Sequence, residues 1–135
     1  TVEFFEEVRD HLTHNGVVAI NVGRTATDRR LVDAMAATLS QVFPSVHALD
    51  VPYSFNTILI ATNQPSLPDN LIQNLDMLSD SAPAALRNTL MLASQTFSLI
   101  EPSETIFTDD RAPVETLVDS LVVNFLLSGD IEQLR

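Results

Sequence analysis

The stretch "SVHALDVPYSFNTILIAT", Ser45–Thr62, decides how the rest of the chain is read. Two apolar runs rich in β-branched residues flank Pro52, Tyr53 and Ser54. Short apolar runs bounded by turn residues read as strands, so 45–51 and 55–62 are predicted strands joined by a loop. Upstream, "VVAINV" (Val17–Val22) is a third continuous apolar run, the pattern of a strand covered on both faces. Helical patterns separate these runs. Over 2–13, Val2, Phe5, Val8 and Leu12 recur at helical spacing, and Phe4 widens the face. Asn15-Gly16 should end that helix, with Gly16 in the left-handed position. Gly23 to Thr27 reads as a loop and Thr27 or Asp28 as the next cap. Leu31, Met35, Leu39 and Val42 form the following stripe, up to Phe43-Pro44. The order helix, strand, helix, strand, strand predicts an α/β sheet layered with helices.

After Pro65 no run of comparable strand strength recurs. Helices are predicted over 68–79 on Leu71, Ile72, Leu75 and Leu78, and within 82–100 on Leu86, Leu90, Ala93 and Phe97. A last helix is predicted over 113–127 on Val114, Leu117, Val118, Leu121 and Phe125. No repeat or low-complexity segment is present. Residues 1–65 therefore read as a partial α/β segment, and 66–135 as a helical C-terminal appendix packed on it. The helical pattern starts at the first residue, and the chain reads as part of something longer.

At 135 residues the chain fits one domain with a real core. The 45% hydrophobic content argues for folding despite a net charge of -11. Seven basic residues scattered among eighteen acidic ones cannot neutralise a phosphate track, so nucleic acid is not an expected partner. All seven are Arg, which excludes a Schiff-base or P-loop lysine in this chain. Without Cys there is no disulfide, thiol nucleophile or Cys-ligated zinc. No apolar run approaches the roughly 20 residues of a membrane span, and nothing resembles a signal peptide.

"IFTDDRAPVETLVDSL" (106–121) is where the chain most resembles a site. Asp109 and Asp110 lack the further oxygen ligands and the glycine of a calcium loop. Helix initiation is the favoured reading of the residues, with Asp110 as cap and Pro113 inside the first turn. His11 and His14 are spaced to share a helix face, but no third ligand accompanies them, so no metal site is assigned. His47 reads as an ordinary strand histidine. With only three glycines (Gly16, Gly23 and Gly129), no phosphate-cradling loop exists.

"EFFEEVRDHLTHNGVVAINVGR" followed by "FPSVHALDVPYSFNTILIATNQP" resembles the C-terminal half of the spermidine synthase family, closest to a bacterial branch in which some members are fused to transmembrane segments. The resemblance covers about Glu3 to Pro65, with "VPYSFNTILIATNQP" its most telling part. It implies a Rossmann-like methyltransferase-type fold of which about three strands lie here. "FNTILIAT" would run antiparallel between the other two strands, and "GVVAINV" would pair with a strand lying upstream. It also implies aminopropyl transfer from decarboxylated S-adenosylmethionine to a diamine. The glycine-rich turn, the ribose carboxylate and the catalytic Asp of that family lie upstream of the matching segment. This chain is therefore expected to hold no catalytic residue or cofactor and to be inactive alone.

What the resemblance carries over is small. Asn21 falls where family members place a Gln near the amine, and Tyr53 falls on a Tyr lining the same site. Asp109 is a candidate anionic wall for the amine, without a family motif behind it. The residues after Tyr53 depart from the family's Pro-Ser-Gly pattern, which leaves the amine open. The expected partners are the missing N-terminal half, a small polyamine, and a second copy through an open sheet edge. The expected location is the cytoplasm, or the cytoplasmic face of a membrane-tethered parent. The alternatives are a non-catalytic binding or assembly module of the same descent, or a fragment of a methyltransferase using S-adenosylmethionine.

Overall fold

The computed structural model describes residues 1–100 and 103–128. Its elements run α1 (Val2–Asp10), β1 (Val17–Gly23), α2 (Arg30–Ser40), β2 (Ser45–Asp50) and β3 (Asn56–Thr62). They continue as α3 (Asp69–Asp76), α4 (Ala84–Ser94), β4 (Phe97–Leu99) and α5 (Val114–Ser128). The fold is α/β. One sheet has the order β1-β3-β2-β4, with every neighbouring pair antiparallel. β3 lies in the middle, holding β1 along Val17↔Thr62 to Gly23↔Asn56 and β2 along Ser45↔Thr62 to Asp50↔Thr57. β1 and β2 thus point the same way without touching.

β4 is the first departure from the expected three strands. The apolar pattern over 82–100 predicts one helix, but α4 ends at Ser94 and Phe97–Leu99 pairs with His47–Leu49. Phe97 serves the sheet edge rather than a helical stripe, stacking on His47 with ring centroids 4.7 Å apart. An unpaired row of β2 hydrogen-bonding groups overrides local periodicity here.

The main core lies on one face of the sheet, while at β2 the other face is also buried at Ser45 and His47. Val22, Leu59, Ala61, Val46 and Ala48 join Phe5 of α1, Leu31, Val32 and Leu39 of α2, Phe107, and Leu121 of α5 in a single core. α2 is buried nearly all round, with Ala34, Ala36 and Ala37 each at most 1% exposed. A helix apolar on all sides belongs inside. It lies between the sheet on one side and α1 and α5 on the other. α3 and α4 bury no residue and pack on each other. The expectation that β1 is covered on both faces does not hold among the described residues. Its exposure alternates, leaving Val17, Ala19 and Asn21 exposed while Val22 is buried.

Local ends also differ from the sequence patterns. α1 stops at Asp10, with His11 as a right-handed cap. Gly16 is not left-handed; it is demanded by close approach, since a Cβ there would lie 2.7 Å from Cβ of Leu12. α2 opens at Arg30 with Arg29 at the cap position, and neither Thr27 nor Asp28 is the cap. Asp28 still accepts the Arg30 backbone N–H at 3.1 Å.

The largest correction concerns Asp109 and Asp110. They form the tip of a two-residue hairpin, in which Thr108 and Arg111 exchange backbone hydrogen bonds of 3.1 and 2.9 Å. α5 begins only at Val114, and Leu117 N–H bonds to the Pro113 carbonyl, so Asp110 is not the helix cap. Phe107, 1% exposed, pins this hairpin into the core. Its N–H donates to Thr38 Oγ1 at 2.9 Å, and its carbonyl accepts from Val2 N–H at 2.8 Å. Gly129 and the rest of 129–135, the end of the expected appendix, lie outside the described residues.

Candidate functional site

Ligands of α/β sheets gather beyond the carboxyl ends of the strands. At that end here, β1 runs out at Gly23, β2 at Asp50, and β3 enters at Asn56. The polar residues at these ends form one cluster. Asp50 Oδ1 accepts from Thr57 Oγ1 at 2.6 Å and from Arg29 Nη1 at 3.0 Å, while Oδ2 accepts the same nitrogen at 2.8 Å. Arg24, on the first residue beyond β1, donates from Nε to Thr57 Oγ1 at 3.1 Å and sits 3.6 Å from Asp50 Oδ1. Burial works against the Asp50 carboxylate. Hydrogen bonds from Arg29 and Thr57, with the charges of Arg29 and Arg24, outweigh it and hold its carboxyl below the usual range.

A second pair lies beside this one. Arg30 grips Asp28 through Nε at 3.0 Å and Nη2 at 2.6 Å. That contact, over a smaller opposing effect of burial, pulls the Asp28 pKa down and raises that of Arg30. Thr25, nearly buried, holds the loop by accepting N–H bonds from Thr27 and Asp28. Next to the cluster opens a cavity of about 460 Å³. Leu31, Phe55, Val118, Leu121, Val122 and Phe125 form its walls, and Arg24 and Thr25 its polar end. Phe55 and Phe125 meet edge to face at 5.5 Å across it.

A carboxylate filled with donors and held below its ordinary pKa is a poor general base near neutrality. No group of three His, Cys, Asp or Glu side chains that could hold a metal occurs among the described residues. His11 Nδ1 lies 2.8 Å from the Glu7 carbonyl, while His14 faces Gln64 at 3.3 Å.

The residues singled out from sequence are placed unequally. Asn21 is exposed on the sheet face away from the core, in one cross-strand row with Ile58, Leu49 and Phe97. Tyr53 lies in the β2–β3 loop at the same end of the sheet, fully exposed and in the left-handed region at φ 57°. Asp109 is on the helical side. Its Oδ1 accepts from Thr1 Oγ1 at 2.5 Å, and its N–H donates to Glu3 Oε2 at 3.0 Å. The structure thus sets Asn21 and Tyr53 at one end of the sheet and ties Asp109 to the first turn of α1. The Arg24–Asp50–Thr57 cluster carries no motif. Its one sequence signal is polar residues closing three apolar strands.

No family model and no solved structure matches this chain. The chain is similar to the "Probable polyamine aminopropyl transferase" of Bifidobacterium longum (strain NCC 2705), with 30% identity over 136 aligned positions. The alignment covers 87% of this chain, which spans about 30% of that relative's length. This similarity supports a spermidine synthase-like relationship. No helix among the described residues is long and apolar enough to cross a membrane.

Proposed function

We propose that this chain is the C-terminal portion of a spermidine synthase-like aminopropyltransferase, contributing part of the amine side of the site and inactive alone. The similarity over 87% of the chain carries the reading. The strand order β1-β3-β2 with β3 antiparallel supports a Rossmann-like sheet whose remaining strands add beside β1. In this reading the rest of the protein supplies the glycine-rich turn for decarboxylated S-adenosylmethionine, the ribose carboxylate and the catalytic Asp. The diamine nitrogen forms the new C–N bond as the C–S bond of the sulfonium breaks, and its proton passes to that Asp. Asn21 offers the amine a side-chain carbonyl, and Tyr53 a phenol hydroxyl. Asp109, which also bonds to Thr1 and Glu3, supplies an anionic wall for the amine in this reading. The protein works in the cytoplasm or at the cytoplasmic face of a membrane. Until the rest of the protein covers it, the open edge of β1 pairs this chain with a second copy. A monodisperse monomer in light scattering would sink that last point.

The test is aminopropyl transfer by the longer protein, read as 5′-methylthioadenosine release with a series of diamines. Asn21→Ala should raise KM for the diamine about tenfold, the loss of one hydrogen bond to a charged group, and Asp109→Asn should weaken amine binding, an unchanged KM removing Asp109 from the site. Release of no methylthioadenosine with any diamine would refute the reading, as would heat on titrating this chain alone with decarboxylated S-adenosylmethionine.

A non-catalytic binding or assembly module is favoured by one observation. Arg24 faces the cavity at the carboxyl end of the sheet, where a cationic amine would meet positive charge, while Arg29 and Arg30 are paired with Asp50 and Asp28.

A further inference from the structure

We propose that the cavity between the end of β1 and α5 binds a small aliphatic carboxylate, its chain on the apolar walls and its head group on Arg24. The cavity is of ordinary ligand size, and an apolar lining with one convergent polar end is the usual form of such sites. Arg24 is the only charged residue lining it among the described residues. In a chain with eighteen acidic and seven basic residues, a cation in that place selects sign.

The local charges leave room for an anion. Asp50 does not line the cavity, and its oxygens are already taken by Arg29 and Thr57. Arg24 reaches it only at 3.6 Å, so two guanidinium groups share one carboxylate. Arg24 Nη1 makes a long 3.4 Å contact with the Thr25 carbonyl. Its side chain is 14% exposed, and a guanidinium presents its donors in a fixed fork that matches a carboxylate. The groove beyond Thr25 adds little net charge, since Asp28 neutralises Arg30, Asp50 pairs with Arg29, and Asp33 also lines it. A ligand carboxylate would accept from the Arg24 guanidinium as Asp50 accepts from Arg29. The same charge rejects an ammonium head group, which separates this cavity from the amine contacts proposed at Asn21 and Tyr53.

Titrating the 135-residue chain with decanoate, decanol and decylammonium below their micelle concentrations, by calorimetry and amide NMR, tests the assignment. Decanoate should bind saturably and at least tenfold more tightly than either analogue, shifting the amides of Gly23, Thr25 and Val122. Arg24→Gln should bring decanoate and decanol within about twofold, and Arg24→Lys should restore part of the preference. Val122→Glu, at a position 52% exposed and tolerant of a polar side chain, should weaken decanoate tenfold or more with the fold unchanged by circular dichroism. Absence of saturable decanoate binding would overturn the proposal. So would equal binding of the three head groups, which would mark the cavity as a seat for any apolar chain or for a segment of the longer protein.

Discussion

Thr38→Val is the sharpest test of whether the 106–111 hairpin is a structural clip. Thr38 is fully buried in α2, and its hydroxyl makes two bonds, donating to the Ala34 carbonyl at 2.7 Å and accepting the Phe107 N–H at 2.9 Å. Valine has nearly the same shape but no oxygen. The Ala34 carbonyl keeps its place in the helix ladder, but the Phe107 N–H is left buried without an acceptor. An orphaned buried donor costs about 1–3 kcal/mol, so the variant should lose about that much stability. With a urea m-value of about 1–3 kcal/mol/M, a 2 kcal/mol loss moves the midpoint down by about 1 M at unchanged slope. Thr38→Ser keeps the oxygen and loses one methyl, about 1 kcal/mol. Far-UV circular dichroism should follow both, because the chain has no Trp and a single Tyr. Hydrogen exchange adds a local reading: the Phe107 amide should be protected in the parent and in Thr38→Ser, and exchange faster in Thr38→Val. Valine as stable as threonine, with Phe107 protection intact, would refute the account.

Two further predictions follow from single residues. His47 is 1% exposed, Nε2 lies 2.8 Å from Ser66 Oγ, and Nδ1 is buried without a hydrogen-bond partner. Burial lowers its pKa below the ordinary histidine value, so near and below about 6.5 the unfolded chain holds more protons than the folded one. Stability should be full above that range and fall as pH drops through it. Urea midpoints between pH 7.5 and 5 should show the fall in the parent and a flatter profile in His47→Gln; equal slopes would rule His47 out as the cause. Tyr53 holds a positive φ with its side chain wholly in solvent. Tyr53→Gly should therefore stabilise the chain by up to about 1 kcal/mol, seen as a higher urea midpoint; a loss of stability would show that the ring makes contacts the structure lacks.

Residues 45–62 make β2 and β3 legible, because both runs are apolar, short and separated by a turn. The α2 stripe is legible for the same reason. Phe97 is not, since it continues the Leu86, Leu90, Ala93 spacing of a helix while the bonds that make it a strand come from β2, some fifty residues away. Asp109 and Asp110 mislead in a similar way. Two carboxylates ahead of Pro113 have the local look of a cap, but Phe107 settles the segment through Thr38, 69 residues upstream. The candidate cluster is hidden for a further reason. Arg24, Asp50 and Thr57 are single residues at the ends of three strands, and only the β1-β3-β2 order brings them together.

The central place of β3 also sets a schedule for the growing chain. Among the described residues β1 pairs with β3 alone, so the β3-side edge of Val17–Gly23 leaves the ribosome before its partner is made. About forty residues separate the end of β1 from the end of β3. At about 5–20 residues per second their synthesis takes roughly 2–8 s. Through that interval the β3-facing edge of β1 is open to chaperones, and codon choice between Gly23 and Thr62 becomes a lever on the yield of folded protein.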